Sequence, residues 1–291
     1  MLGNQNQFFE SAIFQSTGQE VNIQFLHMVT GGCINQTVHL QSNKGHFFLK
    51  WNELNSLHNF QQEAKGLDLL RANTDLTVPE VLGYDQLENK AYLLLSYIDS
   101  YPTKPNYWEH FGQSLAQLHK QSHDYFGLDF DNYIGSLPQK NAQESDWLSF
   151  FIENRLRVQF GLAYYNGLID QHYLKKLDQL AAKLDGFFPE EAPALLHGDL
   201  WSGNALVDHD GTPALVDPAV YYGHREMELA FTKLFGGFPE TFYAAYHEAY
   251  PIAPGFEQRK AIYNCYPLMV HVNLFGKSYL SGIDRVFDAL L

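Results

Sequence analysis

Between residues 195 and 219 the chain reads Leu195-Leu196-His197-Gly198-Asp199-Leu200-Trp201-Ser202-Gly203-Asn204, then Ala205-Leu206-Val207-Asp208-His209-Asp210-Gly211, then Ala214-Leu215-Val216-Asp217-Pro218-Ala219. Two short apolar runs joined by a polar turn with Asp-Gly at its apex are a β-hairpin signal. Folding about the Asp210-Gly211 bond sets Asn204 opposite Asp217, where directly opposed Cβ atoms lie about 5 Å apart. An amide carbonyl and a carboxylate at that separation suit one hard cation. Asp199 then sits on the loop that enters the hairpin. An Asp-Gly turn alone marks any surface hairpin; the spacing of His197, Asp199 and Asn204 together with the closing Asp217 gives it chemical meaning.

The chain has 291 residues, 45% of them hydrophobic and 15% aromatic, enough for two substantial cores in one globular unit. Its formal charge of −14 excludes a nucleic-acid backbone as partner, since that binding depends on Lys and Arg clusters. A cationic substrate is easier to accommodate, and nucleotide phosphates need Mg²⁺ and a local lysine to overcome the acidic field. The longest apolar stretch, around Tyr92 to Ile98, is too short to span a membrane, and the first residues lack the basic region of a signal peptide. A cytoplasmic location is expected. Two cysteines, Cys33 and Cys265, make no disulfide framework, and no Cys-x-x-Cys or His-Glu-x-x-His spacing suggests zinc.

Residues 21–51 read as an antiparallel meander, with Val21, Ile23, Phe25 and Val29 on one stripe, Val38 and Leu40 on the next strand, and Phe47 and Leu49 after the Asn43-Lys44-Gly45 turn. The first turn holds Gly31 and Gly32, which let backbone N–H groups approach a ligand closely; a plain hairpin turn has the same composition. Alternation places Lys50 on the face opposite Phe47 and Leu49. A helix is expected over residues 58–71, where Phe60, Ala64, Leu67 and Leu70 recur at helical spacing. Glu63 falls on that apolar stripe, where an unpaired charge would cost several kcal/mol, so Lys50 is its expected partner; the alternative has Glu63 reaching water at the stripe's edge. After the strand 92–98, residues 99–106 are polar and carry Pro102 and Pro105, so the expected domains are 1–98 and 99–291. Helices dominate the second, at Phe111 to Leu118, 147–159 and 172–184. Five strands and one helix followed by mostly helices is an α+β, two-lobed layout.

The loop and hairpin carry the residue types with which kinases supply a base and two magnesium ligands. Taken with Gly31-Gly32-Cys33-Ile34, Phe48-Leu49-Lys50, the segment Gly112 to His119, Asn132-Tyr133-Ile134-Gly135, the run Asp217 to Glu226, Leu234-Phe235-Gly236-Gly237-Phe238 and Asn273-Leu274-Phe275-Gly276, the chain resembles the fructosamine kinases (ketosamine 3-kinases), relatives of aminoglycoside phosphotransferases. That resemblance implies a bilobal protein-kinase-like fold, with a small antiparallel-sheet lobe that binds nucleotide and a larger helical lobe that binds substrate. It implies ATP-dependent phosphorylation of the 3-hydroxyl of a ketosamine, a glycated amine that is free or carried on a protein lysine, with release of the amine afterwards.

On that basis Asp199 accepts the hydroxyl proton, Asn204 and Asp217 hold Mg²⁺, Lys50 held by Glu63 meets the phosphates, and Gly31 and Gly32 cover them. Ser96, Tyr97 and Ile98, which lack the acidic residue common at this position in kinases, would meet the adenine through their backbone. Trp201 either lays its ring on the sugar or anchors the loop in the second lobe, and His224 and Glu226 are further substrate candidates. Cys33, in the phosphate-covering turn, is a candidate redox switch or a packing residue. Asp217-Pro218-Ala219 with no Ala-Pro-Glu after it argues against a phosphorylation-controlled activation loop. Two other readings remain: an aminoglycoside- or choline-type kinase, and an inactive nucleotide-binding scaffold.

Overall fold

The computed structural model describes residues 2–29 and 35–291 and divides into two compact units, 1–105 with 206–217 and 106–205 with 218–291. The first unit is built on a five-stranded antiparallel sheet in the order β1-β2-β3-β5-β4, formed by β1 (Ile23–Met28), β2 (Gln36–Ser42), β3 (Gly45–Glu53), β4 (Val81–Leu87) and β5 (Lys90–Ser96). Side-chain alternation gives the sheet two apolar faces. Val38, Leu40, Leu49, Trp51, Tyr92 and Leu94 lie on one face, covered by Phe8, Phe9, Ala12 and Ile13 of α1 (Leu2–Thr17). The other face meets α2 (Leu57–Asn73), which buries Phe60, Ala64, Leu67 and Leu70 as its spacing predicts.

Two departures from the sequence reading concern this unit. Helix α1 was not expected, because its first turn is polar; its signal is the Phe8, Phe9, Ala12, Ile13 stripe, and burying each phenylalanine contributes about 2–3 kcal/mol. Gly83 lets it approach, since a Cβ there would lie 2.6 Å from Ser16 Cβ. The expected stripe on β1 is also broken. The register with β2 shifts between Ile23 and Phe25, so Ile23 is buried while Phe25 turns out to solvent. A bulge of this kind moves every later side chain to the opposite face.

The Asp-Gly hairpin forms from strands Ala205–Val207 and Pro213–Leu215. It groups with the first unit, whereas the sequence division placed it in 99–291, and backbone pairing explains the difference. Leu215 N donates to Thr77 O (2.8 Å), Thr77 N to Pro213 O (3.3 Å), and Lys104 N to Gly211 O (3.0 Å). Asp208 locks the turn: it accepts from Asp210 N, from Thr212 N and Oγ1, and from Thr77 Oγ1. Because residue 104 joins this network, the division falls after Pro105 and not after residue 98.

The second unit is mainly helical. α3 (Tyr107–Leu118) is followed by a helical run from Trp147 to Tyr165, interrupted by a π-helical segment Phe151–Leu156, and by the helix Gln171–Lys183. The π segment turns Arg155 wholly inward, with its guanidinium 3.9 Å from the Tyr221 ring centre and bonded to Asn141 Oδ1 (2.8 Å). A short antiparallel ladder pairs Leu196 with Tyr221 and Ala194 with Gly223, fixing the start of the 197–204 loop. Among the described residues, no helix is long and apolar enough to cross a membrane.

Candidate active site

In the first unit Lys50 leaves β3 on the face that meets α2, and its Nζ lies 2.6 Å from Glu63 Oε1. The same ammonium is hydrogen-bonded to Asp217 Oδ1. Burial opposes a charge on Lys50, but the carboxylates of Asp217 and Glu63 outweigh it and raise its proton affinity above the usual lysine range. The sequence expectation that Glu63 faces a cation is met, and Lys50 is that cation. Asp217 has φ +56°, a conformation that costs a non-glycine residue about 1–3 kcal/mol and gathers at functional sites. Its side chain remains half exposed.

In the second unit the 197–204 loop is held from within. His197 is fully buried. Gly198 has φ +84°, and a Cβ there would stand 2.0 Å from Ala219 O, so only glycine fits. Asn204 donates from Nδ2 to the backbone oxygen of Asp199 (2.8 Å) and to its Oδ2 (3.1 Å). With the amide nitrogen so placed, Asn204 presents a carbonyl oxygen, a hard ligand of the kind Mg²⁺ takes. Asp217, partly exposed and anionic, has the same character. The donor chemistry of both residues therefore fits magnesium. Among the described residues, no group of three or more His, Cys, Asp or Glu side chains is arranged to hold a metal ion.

Glu228 is the residue that sequence reasoning missed. It is 2% exposed and accepts from Gly198 N (2.7 Å), His197 N (3.2 Å) and His119 Nε2 (2.8 Å). His119 Nδ1 in turn bonds Tyr246 OH (2.8 Å). Burial pushes the Glu228 carboxyl up, but the His119 hydrogen bond, the neighbouring His197 and the Gly198 N–H together hold it below the usual range. Its sequence signal is a glutamate between Met227 and Leu229 on a helix, Arg225–Thr232, that is buried throughout. The cavity beside this anchor, bounded by Gly198, Asp199, Tyr221, Glu228 and Tyr266, measures about 20 Å³. That volume holds roughly one water molecule, not a sugar.

Two substrate candidates are corrected by their surroundings. His224 is 0% exposed, with Nδ1 2.6 Å from Tyr263 OH and Nε2 3.1 Å from Pro189 O. Burial pushes its pKa down to about 4. Glu226, also 0% exposed, receives both Nε and Nη2 of Arg259 at 2.6 Å. Neither side chain can meet a substrate, because both are consumed in packing the helix Arg225–Thr232. Trp201, by contrast, is 39% exposed and its ring lies over Gly203 of the same loop, so part of it faces solvent. At the end of β5, Ser96 is already engaged: its N–H donates to Glu80 O (2.9 Å) and its hydroxyl oxygen accepts from Glu80 N (2.8 Å). Its backbone N–H is therefore not open to adenine. The Tyr97 ring stacks on His39, and Tyr97 and Ile98 are half-buried. Gly31, Gly32 and Cys33 lie outside the described residues. Cys265 is buried, and burial pushes its thiol up to about 12.

A sequence profile of the fructosamine kinase family matches residues 6–291. A Synechocystis protein provisionally named ketoamine kinase is 39% identical over 283 residues, covering 96% of this chain and 94% of its own. A protein-ribulosamine 3-kinase of Arabidopsis thaliana chloroplasts is 36% identical over 280 residues, covering 94% and 85%. Among solved structures, a protein of Haemophilus somnus provisionally named fructosamine-3-kinase superposes with a TM-score of 0.88 at 30% identity, covering 97% of this chain and 96% of that one. An aminoglycoside phosphotransferase shares the fold at a TM-score of 0.64 and 14% identity, covering 97% and 98%.

Proposed function

Because the chain belongs to the fructosamine kinase family, it is a phosphotransferase with an alcohol acceptor, and we propose that it transfers the γ-phosphoryl group of ATP to the 3-hydroxyl of a ketosamine. The observation that carries this reading is the family match over residues 6–291 in a chain whose Lys50 ammonium is held between Glu63 and Asp217 and whose Asp199 is held by Asn204. Lys50 is buried, charged and aimed by two carboxylates, as a group that meets phosphate oxygens must be. Asp199 accepts the proton of the sugar hydroxyl as its oxygen bonds to phosphorus and the bond to the ADP oxygen breaks. Asn204 and Asp217 hold Mg²⁺, which when bound neutralises charge on the phosphates. Catalysis is then mainly positioning and electrostatic stabilisation.

The acceptor is a glycated amine, free or on a protein. The phosphorylated sugar is unstable and leaves, so the biological outcome is deglycation. The likeness to aminoglycoside phosphotransferases at 14% identity is one of fold alone. An inactive scaffold is disfavoured because Lys50, Glu63, Asp199, Asn204 and Asp217 are all present.

A coupled assay of ADP release with a ribulosamine, a fructosamine, an aminoglycoside and choline tests the substrate class, with phosphorus NMR to locate the new ester. Phosphate is expected on the sugar 3-hydroxyl, with the aminoglycoside at least about a hundredfold poorer in kcat/KM, a difference of roughly 2.7 kcal/mol in transition-state binding. Equal turnover of the aminoglycoside overturns the assignment.

A further inference from the structure

On the first unit, on the sheet face that also carries Lys50, two histidines converge across neighbouring strands. His39 of β2 pairs in register with Phe48, and His46 of β3 pairs with Gln41, which makes the two imidazoles diagonal neighbours. His39 Nε2 is 3.1 Å from His46 Nδ1, and the ring centres are 5.0 Å apart with planes at 38°. Two imidazole nitrogens bound at about 2.0–2.1 Å to one metal ion, with bond angles of 90–109°, stand about 2.9–3.4 Å apart. The same geometry puts the ring centres about 4.5–5.3 Å apart, so both separations match a shared ion as well as they match a hydrogen bond.

The surroundings favour the ligating form. The His39 ring is stacked on Tyr97, with centres 3.6 Å apart and planes at 8°, so its orientation is fixed before any ion arrives. Burial first, and then the charge of His46, lowers its proton affinity; Asp99 acts the other way and His27 adds to the lowering. A neutral imidazole is the metal-binding species. Asp99 Oδ1 lies 3.9 Å from His46 Nδ1, with its side chain half exposed, and the whole chain carries a formal charge of −14. A cation is therefore attracted to this face.

We propose that His39 and His46 form a two-imidazole site for a divalent transition cation, with Asp99 accepting a hydrogen bond from a water molecule on that ion. The site is distinct from the magnesium ligands, because imidazole nitrogens select Zn²⁺, Ni²⁺ or Cu²⁺ where the oxygens of Asn204 and Asp217 select a hard cation. Water completes the coordination, so affinity is moderate. Asp99 adds a carboxylate at the edge, not a third direct ligand.

The test is calorimetric titration of the full-length protein with Ni²⁺ at pH 7.5, without nucleotide or Mg²⁺. Binding with Kd below about 100 µM is expected, the order set by two imidazole ligands. It should weaken tenfold or more in His39→Gln and in His46→Gln, persist in Asp217→Asn and Cys33→Ser, and weaken tenfold or more in wild type at pH 5.5, where protons compete for the nitrogens. Cu²⁺ electron paramagnetic resonance on wild type provides a reading that needs no variant to fold: two equivalent imidazole nitrogens should couple to the copper. No binding at millimolar Ni²⁺, undiminished binding in the histidine variants, loss of binding in Asp217→Asn or Cys33→Ser, or a copper spectrum with fewer than two nitrogens overturns the proposal.

Discussion

Replacing Glu228 with glutamine tests whether the 197–204 loop depends on that buried carboxylate for its position. The carboxylate accepts three hydrogen bonds, from Gly198 N at 2.7 Å, His119 Nε2 at 2.8 Å and His197 N at 3.2 Å. The amide of glutamine keeps one acceptor, which takes the shorter Gly198 bond. Its NH₂ group can donate to His119 only if His119 moves its proton to Nδ1, where the Tyr246 hydroxyl can accept it. His197 N then faces a donor and loses its bond to residue 228 in a fully buried position, which costs about 1–3 kcal/mol. At about 2–4 °C per kcal/mol for a protein of this size, Tm should fall by about 2–12 °C. Asp199 is the residue after Gly198, so kcat should also fall, by about tenfold or more, equivalent to roughly 1.4 kcal/mol. Lys50 is held by Glu63 and Asp217 within the first unit, so KM for ATP should stay within about threefold. Coupled kinetics and a thermal melt supply both numbers. If Tm falls while kcat stays within twofold of wild type, Glu228 supports only the fold and the positioning argument is refuted.

Asp199→Asn should lower kcat by about a hundredfold or more while leaving Mg·ATP affinity within a few-fold, the signature of a group used in the chemical step; a variant keeping more than a tenth of wild-type kcat removes Asp199 from the base role. Asp217→Ala should abolish Mg²⁺-dependent nucleotide binding in calorimetry, and unchanged affinity contradicts its assignment as a ligand. Because Lys50 Nζ bonds Glu63 directly, the Lys50→Ala/Glu63→Ala double variant should lose little more kcat/KM than the worse single variant, whereas strictly additive losses separate the two residues in the active form. His224 has a folded pKa of about 4 against an ordinary 6.5, so the unfolded chain binds its proton first as pH falls; stability should drop by about 3 kcal/mol between pH 6.5 and 4, and an equally steep acid loss in His224→Gln on urea denaturation excludes His224 as the cause.

The Lys50 and Glu63 pair was legible because each half follows from one period: strand alternation sets the face of Lys50, helical spacing sets that of Glu63, and a buried charge demands a partner. Where two rules compete, legibility ends. The β1 stripe obeyed alternation until a bulge between Ile23 and Phe25 changed the register, and nothing in the composition of that strand marks the bulge. Helix α1 begins Leu2-Gly3-Asn4-Gln5-Asn6-Gln7, too polar to signal a packed element, and is fixed by the sheet beneath Phe8, Phe9, Ala12 and Ile13. The hairpin was read correctly as a hairpin, but its attachment to Thr77 and Lys104 is a backbone pairing with no local sequence signature. Glu228 was invisible for the same reason, since its partners at 119, 197 and 198 are brought to it by the fold.

His224 and Glu226 show what a distinctive motif encodes. A charged stretch inside the most family-specific run invites a catalytic reading, yet Glu226 takes Arg259, Arg225 takes Glu191 at 2.8 and 2.7 Å, and His224 is closed between Tyr263 and Pro189. Arg225 and Arg259 also bond the carbonyls of Tyr250, Pro251, Ala253 and Pro254, fixing the chain between the helices Glu240–Ala249 and Phe256–Tyr263. Replacing either partner of such a buried pair strands the other charge, a loss of about 3–5 kcal/mol, so these residues serve folding stability. The end of that run, from His224 to Glu226, thus serves the scaffold, whereas Asp217 at its start is of a type that many kinases carry for phosphoryl transfer. Under the proposed function, discrimination among sugar acceptors is expected from side chains that reach solvent near Asp199. Trp201, two residues on and with its ring exposed over Gly203, is the first of these to vary.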